Sequence, residues 1–399
     1  MKLSKALIPT LLCSASALAS HLPRTTSQNA SSLVFTYGSA EQPDLVVAMS
    51  ATTDGDFALH MSGSSKHSWI AVGTGTEMDG SMMFVLYGDG TKKGATLSTR
   101  SSTGHQEPSY VSSMEPQVSA SSENGIHAAT AYFRNSSAWM QNSIDMTSSK
   151  QPFIFALGPK THGQTDSSPT AMIQRHVVYG SFTMDMTQAL SSLASQANSE
   201  NGTWTSSGAS SAFDVSKDFD AGCVIHAVVM CLAFVIVFPL GALLLRLLSV
   251  RVHYLVQLTA SLLVLVGLGT GIYVSMEYNK TQTYMTAHQI IGLILFAGVA
   301  IQLLLGSIHH VIFKRTRKST RLGKIHLYLG PMILVLGIVN APLGLILGQQ
   351  KQYNVPYAIL VAVLAVLFCV ARGYLFWSAR LSKTIKDNDG DVQVPLRTL

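Results

Sequence analysis

Cysteine is scarce in this 399-residue chain, with four in all. Cys13 lies in an N-terminal apolar run, and Cys223, Cys231 and Cys369 lie in long apolar stretches farther on. The polar region between them therefore has no disulfide framework and no zinc-type cysteine spacing, so it must hold together by its core. Charge is scarce as well, at 12% of residues against 47% hydrophobic. The net charge of +6 is carried largely by short loops between apolar runs, which argues against nucleic acid as a partner. Asp and Glu are missing from those runs, which weakens any reading as a carboxylate-based proton pathway. Nor is there a dinucleotide loop, because Gly73-x-Gly75-x-x-Met78 lacks the third glycine.

Five long hydrophobic runs are present: Gly222–Leu248, Val252–Met276, Tyr284–Phe313, Leu322–Leu347 and Tyr357–Phe376. A helix needs about 20 residues to cross a hydrocarbon core of about 30 Å, and each run reaches that length. The first four carry His226, His253, His288 and His326, each near the helix start. Neighbouring antiparallel helices alternate in direction, so His226 and His288 share one depth, and His253 and His326 share the opposite depth. A buried intramembrane histidine is costly and needs a partner. Two pairs at two depths are what two stacked bis-histidine haems require, with the irons about 20 Å apart along the membrane normal. Interfacial packing or headgroup contact is the plainer alternative for such histidines. His309 and His310, beside a basic loop, read as solvated or lipid-facing.

Lys2 and Lys5, the apolar run Ala6–Ala19 and the small residues Ala17 and Ala19 form a secretory signal peptide over residues 1–19. The basic residues Arg246, Arg251, Lys314, Arg315, Arg317, Lys318, Arg321, Lys324, Arg380, Lys383 and Lys386 fall on one side of the runs, against Lys280 and Lys351 on the other. By the positive-inside rule the N-terminal region faces outward and the C-terminal tail (380–399) faces the cytoplasm. Sequons at Asn29, Asn135, Asn201 and Asn279 all fall on the outer side and predict a glycoprotein. The route is secretory, and no retention signal ends the chain, so the expected destination is the plasma membrane by default, with vacuolar and endosomal membranes as the alternatives.

Between residues 20 and 186 the pattern shortens to alternating runs, such as Leu45–Ala51, Phe57–Met61, Met82–Tyr87, Ile126–Phe133 and Phe153–Leu157, separated by turn-rich pieces. These predict an antiparallel β-sandwich, with long loops over 98–125 and 159–175. Residues 187–219, rich in Ser, Ala, Gly and Asn, predict a flexible tether. A helical membrane domain follows over 220–379.

Two segments of the sandwich carry a resemblance. Trp69-Ile-Ala-Val-Gly73-Thr-Gly75-Thr-Glu-Met78, and His176-Val-Val-Tyr-Gly180-Ser-Phe182, resemble the DOMON superfamily, and within it the cytochrome domain of fungal cellobiose dehydrogenases. The resemblance implies a b-type haem held by Met78 and His176, a thioether–imidazole pair suited to electron transfer. Met82 and Met83 are rival sulfur ligands, and His60, His105, His127 and His162 are rivals to His176. The cellobiose dehydrogenase cytochromes carry cysteines that this region lacks, which bears on stability.

The helical block resembles the cytochrome b-561 family in the arrangement where a DOMON domain precedes it. That implies two membrane haems b, one on His226 and His288 and one on His253 and His326. With the sandwich haem, it implies an electron path from a cytoplasmic donor such as ascorbate, with Arg251, Lys324 and Arg372 near the inner site. The path ends on an extracellular acceptor, either a ferric chelate or a secreted redox enzyme. The rival from another class is a haem-free sandwich that binds glycans or a partner, anchored by the helical block.

Overall fold

A computed structural model describes residues 33–52, 56–91, 93–114, 116–134, 143–160, 166–189 and 205–390. The signal peptide, the sequons at Asn29, Asn135 and Asn201, and His162 lie outside the described residues.

The N-terminal half is a two-sheet antiparallel sandwich. Its strands are β1 (Leu33–Gly38), β2 (Pro43–Ala51), β3 (Phe57–Ser64), β4 (Ile70–Thr74), β5 (Met82–Gly88) and β6 (Ala95–Ser101). They continue with β7 (Ser109–Tyr110), β8 (Gln117–Glu123), β9 (Ile126–Phe133), β10 (Gln151–Leu157), β11 (Val178–Met184) and β12 (Phe213–Lys217). One sheet runs β1-β2-β3-β9-β8 and the other β12-β11-β10-β4-β5-β6-β7. Period-two alternation aims Val47, Leu59, Val72, Phe84, Phe155 and Phe182 between the sheets, where all are buried. Phe35 stacks on Phe182 at 3.7 Å between centroids, and Phe153 stacks on the other side at 5.4 Å. Each such side chain contributes about 1.5–3 kcal/mol on burial, which offsets the absence of disulfides.

A second apolar cluster lies on the outward face of the seven-stranded sheet. It comprises Trp69, Ala71, Met83, Val85, Tyr87, Ala171 and Ile173, with Met78, Ile154 and Ala156 packed against it.

Three expectations are corrected. The stretch 98–125 is not one long loop: it completes β6 and contains β7 and β8. It escaped hydropathy because the buried residues of β6 are Ser98, Thr99 and Arg100. The tether expected over 187–219 is shortened, because β12 pairs with β11 through Val178↔Lys217 and Tyr179↔Ser216, and Ser207 bridges Val34. The last helix does not end near residue 380 but runs on to Gly390.

Five helices long and apolar enough to cross a membrane follow: α1 (Ala221–Leu247), α2 (Val250–Glu277), α3 (Ala287–Thr316), α4 (Arg321–Leu347) and α5 (Asn354–Gly390). Asp220, Ser249, Thr286 and Thr320 cap the first four by accepting from backbone N–H groups. A π-helical segment, Leu232–Val237, widens α1. It carries Ala233 and Phe234 into the bundle core beside Val264, Leu295, Val299 and Ile333. The outer surfaces expose large apolar residues such as Leu255, Ile294, Val335 and Leu367, which a bilayer would cover.

Candidate functional site

The four helical histidines share one arrangement. Nδ1 of His226 lies 2.7 Å from Gly267 O, that of His253 2.7 Å from Gly241 O, that of His288 3.0 Å from Asn340 O, and that of His326 3.1 Å from Gln302 O. A backbone carbonyl only accepts, so each Nδ1 carries the proton and donates it. Each Nε2 is then left with a free lone pair, the tautomer that ligates a metal.

Glycine makes room for three of these rings. A Cβ at Gly271 would meet Cε1 of His226 at 2.8 Å, one at Gly344 would meet His288 at 2.7 Å, and one at Gly306 would meet His326 at 2.8 Å. Each glycine lies four residues after the carbonyl that accepts the imidazole proton, Gly267, Asn340 or Gln302. The accepting carbonyl and the bare Cα are thus stacked one turn apart on the same helix face, and the Cε1–Nδ1 edge of the ring lies against the helix. The fourth case differs, since the residue four positions after the acceptor Gly241 is Leu245. Gly269 has nothing within 4 Å of its Cβ position, so the spacing and not the glycine content carries the signal.

His226 and His288 face one another with ring centroids 5.9 Å apart and planes at 85°. Two metal–nitrogen bonds of about 2 Å plus two half-rings span roughly 6 Å, so the pair fits one iron between them. The cavity at this point is lined by both histidines with Met230, Phe234, Gly337 and Tyr357, and holds about 350 Å³ of unfilled space, part of it open at the side. Asn340 ties the site together: its amide donates to His288 O at 3.2 Å while its own carbonyl takes the His288 proton. Pro342 lacks an N–H for Ile338 O, and Tyr357 OH donates to that carbonyl at 2.9 Å instead. At the other end His326 lies within electrostatic reach of His253 and also of His309. His309, expected to be solvated or lipid-facing, is half-buried, with Nδ1 2.8 Å from Thr320 Oγ1 and its ring against Gly323. His310 is exposed.

The sandwich candidates border its outward face. Met78 follows β4 in the turn to β5 and packs on the outward cluster. His176 precedes β11, is largely buried, and has its ring 4.8 Å from that of the outward Tyr179. Its Nδ1 has no hydrogen-bond partner and lies 3.7 Å from Asp218 Oδ2. Between them the outward rows Ala71↔Ala156↔Tyr179 and Gly73↔Ile154↔Ser181 hold mostly small side chains, leaving a low apolar face. Such a face, with a thioether and an under-bonded imidazole at its border, fits a flat apolar group. Of the rivals, Met82 packs on the inner core, whereas Met83 shares the outward cluster with Met78. His60 is bonded to Thr130, His127 to Ser122, and His105 is exposed.

Sequence reasoning missed the residues around this face. Arg100, 1% exposed, donates to Ala171 O at 2.5 Å, Pro169 O at 3.2 Å and Pro108 O at 3.3 Å, and lies 3.6 Å from Glu107. Burial pushes the Glu107 carboxyl above its usual range, against the opposing pull of N–H donors from Ile173 and Asn279. Arg175 reaches Asp218 at 2.8 Å and Glu277 at 3.4 Å. The only sequence cue was the adjacency of Arg175 to His176.

Residues 23–194 match the cytochrome domain of cellobiose dehydrogenase, and residues 207–312 match a domain of unknown function, DUF2427. A cytochrome b561 domain-containing protein of Arabidopsis thaliana is 27% identical over 169 residues, covering 39% of this chain and 63% of that relative. Among solved structures, the cytochrome b domain of pyranose dehydrogenase from Coprinopsis cinerea is 21% identical, with a TM-score of 0.33 over 38% of this chain and 80% of its own. The cytochrome domain of Myriococcum thermophilum cellobiose dehydrogenase is 14% identical, with a TM-score of 0.31 over 42% of this chain and 94% of its own. The match over residues 23–194 is to a cytochrome domain, and the chain spans less than two thirds of the length of the cytochrome b561 domain-containing relative. The chain thus joins a DOMON-like cytochrome domain of the cellobiose dehydrogenase type to a DUF2427 helical block related to a cytochrome b561 domain-containing protein.

Proposed function

We propose that this chain conducts electrons across a membrane, from a cytoplasmic reductant to an extracellular acceptor, with the sandwich as its outermost station. The observation that carries the reading is the set of four histidines, each with Nδ1 donated to a helix carbonyl and Nε2 left free. Haem iron, when bound, supplies reversible one-electron chemistry. His226 and His288 would hold one haem b at the end nearer the sandwich, His253 and His326 a second at the basic end, and Met78 with His176 a third on the outward face. The chain's own part is to fix ligand geometry, exclude water and set potentials. The carbonyl partners do this by raising imidazole basicity, and the apolar lining by lowering the local dielectric.

Lys324, Arg251 and Arg372, at the end remote from the sandwich, suit an anionic donor such as ascorbate. The acceptor is a ferric chelate or a secreted redox enzyme, and the membrane is the plasma membrane with the C-terminus cytoplasmic.

The test uses full-length protein in vesicles loaded with ascorbate, with a membrane-impermeant ferric chelate outside. Outward reduction together with three haems b per chain supports the reading. Two haems that remain unaltered by Met78→Ala would reduce the sandwich to a binding module. No haem in protein expressed with adequate supply would sink the conduit.

A further inference from the structure

The tether leading to the helices is short, and the two halves touch through a built interface. β12 ends at Lys217 and α1 begins at Ala221. Three residues extend about 10 Å at most, and Asp218 and Asp220 are both engaged. Asp218 accepts from Arg175, and Asp220 caps α1 and accepts from Tyr278 OH at 2.5 Å.

Segment 171–176, which leads into His176, is gripped from both sides. On the sandwich side, Arg100 donates to Ala171 O, and Trp69 Nε1 donates to Gln174 O at 3.0 Å. On the helical side, Gln174 Nε2 donates to Gly348 O at 2.7 Å and Gln349 Nε2 donates back to Met172 O at 2.6 Å.

Glu107 joins the two sides. Its side chain is 3% exposed. Oε1 accepts from Ile173 N–H at 2.8 Å, and Oε2 accepts from Asn279 N–H at 3.0 Å in the α2–α3 loop. Its own N–H donates to Glu277 O at 2.8 Å, and Asn279 Nδ2 donates to its carbonyl at 3.2 Å. One residue thus bonds the loop carrying His176 and the outer loop of the helical block together.

We propose that the sandwich is a docked, fixed station on the outer end of the helices, not a swinging one, and that Glu107 is the positioning residue of the dock. The function assigned to this dock, handing electrons between the His226–His288 site and the His176 side of the sandwich, rests on the conduit reading; the dock itself does not. The sequon at Asn279 sharpens it. The amide nitrogen that would carry a glycan is the one bonded to Glu107 O, and Thr281 is buried, with Oγ1 donating to Ser275 O and Tyr278 O. A glycan on that nitrogen would leave it a single hydrogen for this bond, so the sequon lies inside the dock.

The experiment is hydrogen–deuterium exchange on full-length protein in lipid nanodiscs, read at peptides covering 105–109 and 277–283. The dock predicts slow exchange at both peptides. Glu107→Ala, which deletes the one carboxylate hydrogen bond that crosses the dock, from Asn279 N–H to Oε2, should lower the docking equilibrium constant by about tenfold and speed exchange at 277–283. It should also slow reduction of the sandwich from the membrane side, while the spectra and midpoint potentials of the helical haems stay unchanged. Glu107→Gln, which keeps one acceptor, should fall between. Should Glu107→Ala fail to fold, Gln349→Ala, on a surface loop, tests the same dock with a smaller effect. Solvent-rate exchange in the wild type would overturn the proposal. Protected peptides in a protein whose sandwich binds no haem would uphold the dock and discard the conduit.

Discussion

The helical block and the sandwich prepare their candidate ligands in different ways. In the helices, each imidazole is oriented by a carbonyl of a neighbouring helix, and in three of four cases by a glycine one turn farther on. Helix geometry itself is the supporting shell. In the sandwich, Met78 sits in a turn and His176 at the end of a loop, its Nδ1 without a hydrogen bond. Support there comes from a buried arginine, a buried glutamate and contacts with the other half of the molecule. A site built on rigid elements holds its geometry unaided; one built on loops depends on what the loops are tied to.

The largest effects should come from the ligands. His288→Ala should remove one haem outright and lower the reduced-minus-oxidised absorbance of the full-length protein by about a third. Retention of full absorbance would break the pairing of His288 with His226. Met78→Ala should remove the sandwich's share and leave the helical share untouched. If Met83→Ala has that effect and Met78→Ala does not, the ligand on the outward face is Met83.

Next in size, Gly344→Val places a side chain where the His288 ring lies. Overpacking of this kind costs about 1–3 kcal/mol, and the ring's displacement should shift the midpoint potential of one haem. The same change at Gly269, which has open space, should leave every potential in place, a contrast that isolates the carbonyl–glycine spacing.

The smallest effect is pH dependence confined to the sandwich. Burial holds His60 and His127 below the ordinary imidazole value of 6.5. The folded state therefore binds fewer protons than the unfolded one. Stability from these groups is full above pH 6.5 and is lost as the pH falls from there through the lowered folded values. Thermal unfolding of the full-length protein and of His127→Gln, compared across that window, should show a shallower slope in the variant. Equal slopes would rule out His127 as a contributor.

Much of this architecture was legible in the chain. Five apolar runs mark five helices because a bilayer demands length and composition, both of which are one-dimensional properties. Antiparallel alternation led to the expectation that His226 and His288 share a depth, and their rings lie 5.9 Å apart. The hydrophobic alternation of Leu45–Ala51 and Phe153–Leu157 marked sandwich strands for the same reason. β6 and β12 were not legible, because Ser98, Thr99 and Arg100 are buried polar residues and Phe213–Lys217 is an exposed edge strand. β6 buries polar residues where an apolar face is expected, and the brief alternation of Phe213 and Val215 in β12 is exposed and follows a Ser-rich stretch.

The sequence alone therefore determined the two-part plan, the number of helices and which helices carry a histidine near their start, since local periodicity and the cost of burying polar groups are written residue by residue. Only tertiary structure decided which carbonyl receives each imidazole proton, and that Gly271, Gly306 and Gly344 are the glycines against which His226, His326 and His288 lie. It alone decided that Glu107, 172 positions before Asn279, meets it. Those facts depend on contacts between elements far apart in the chain, and no local pattern encodes them.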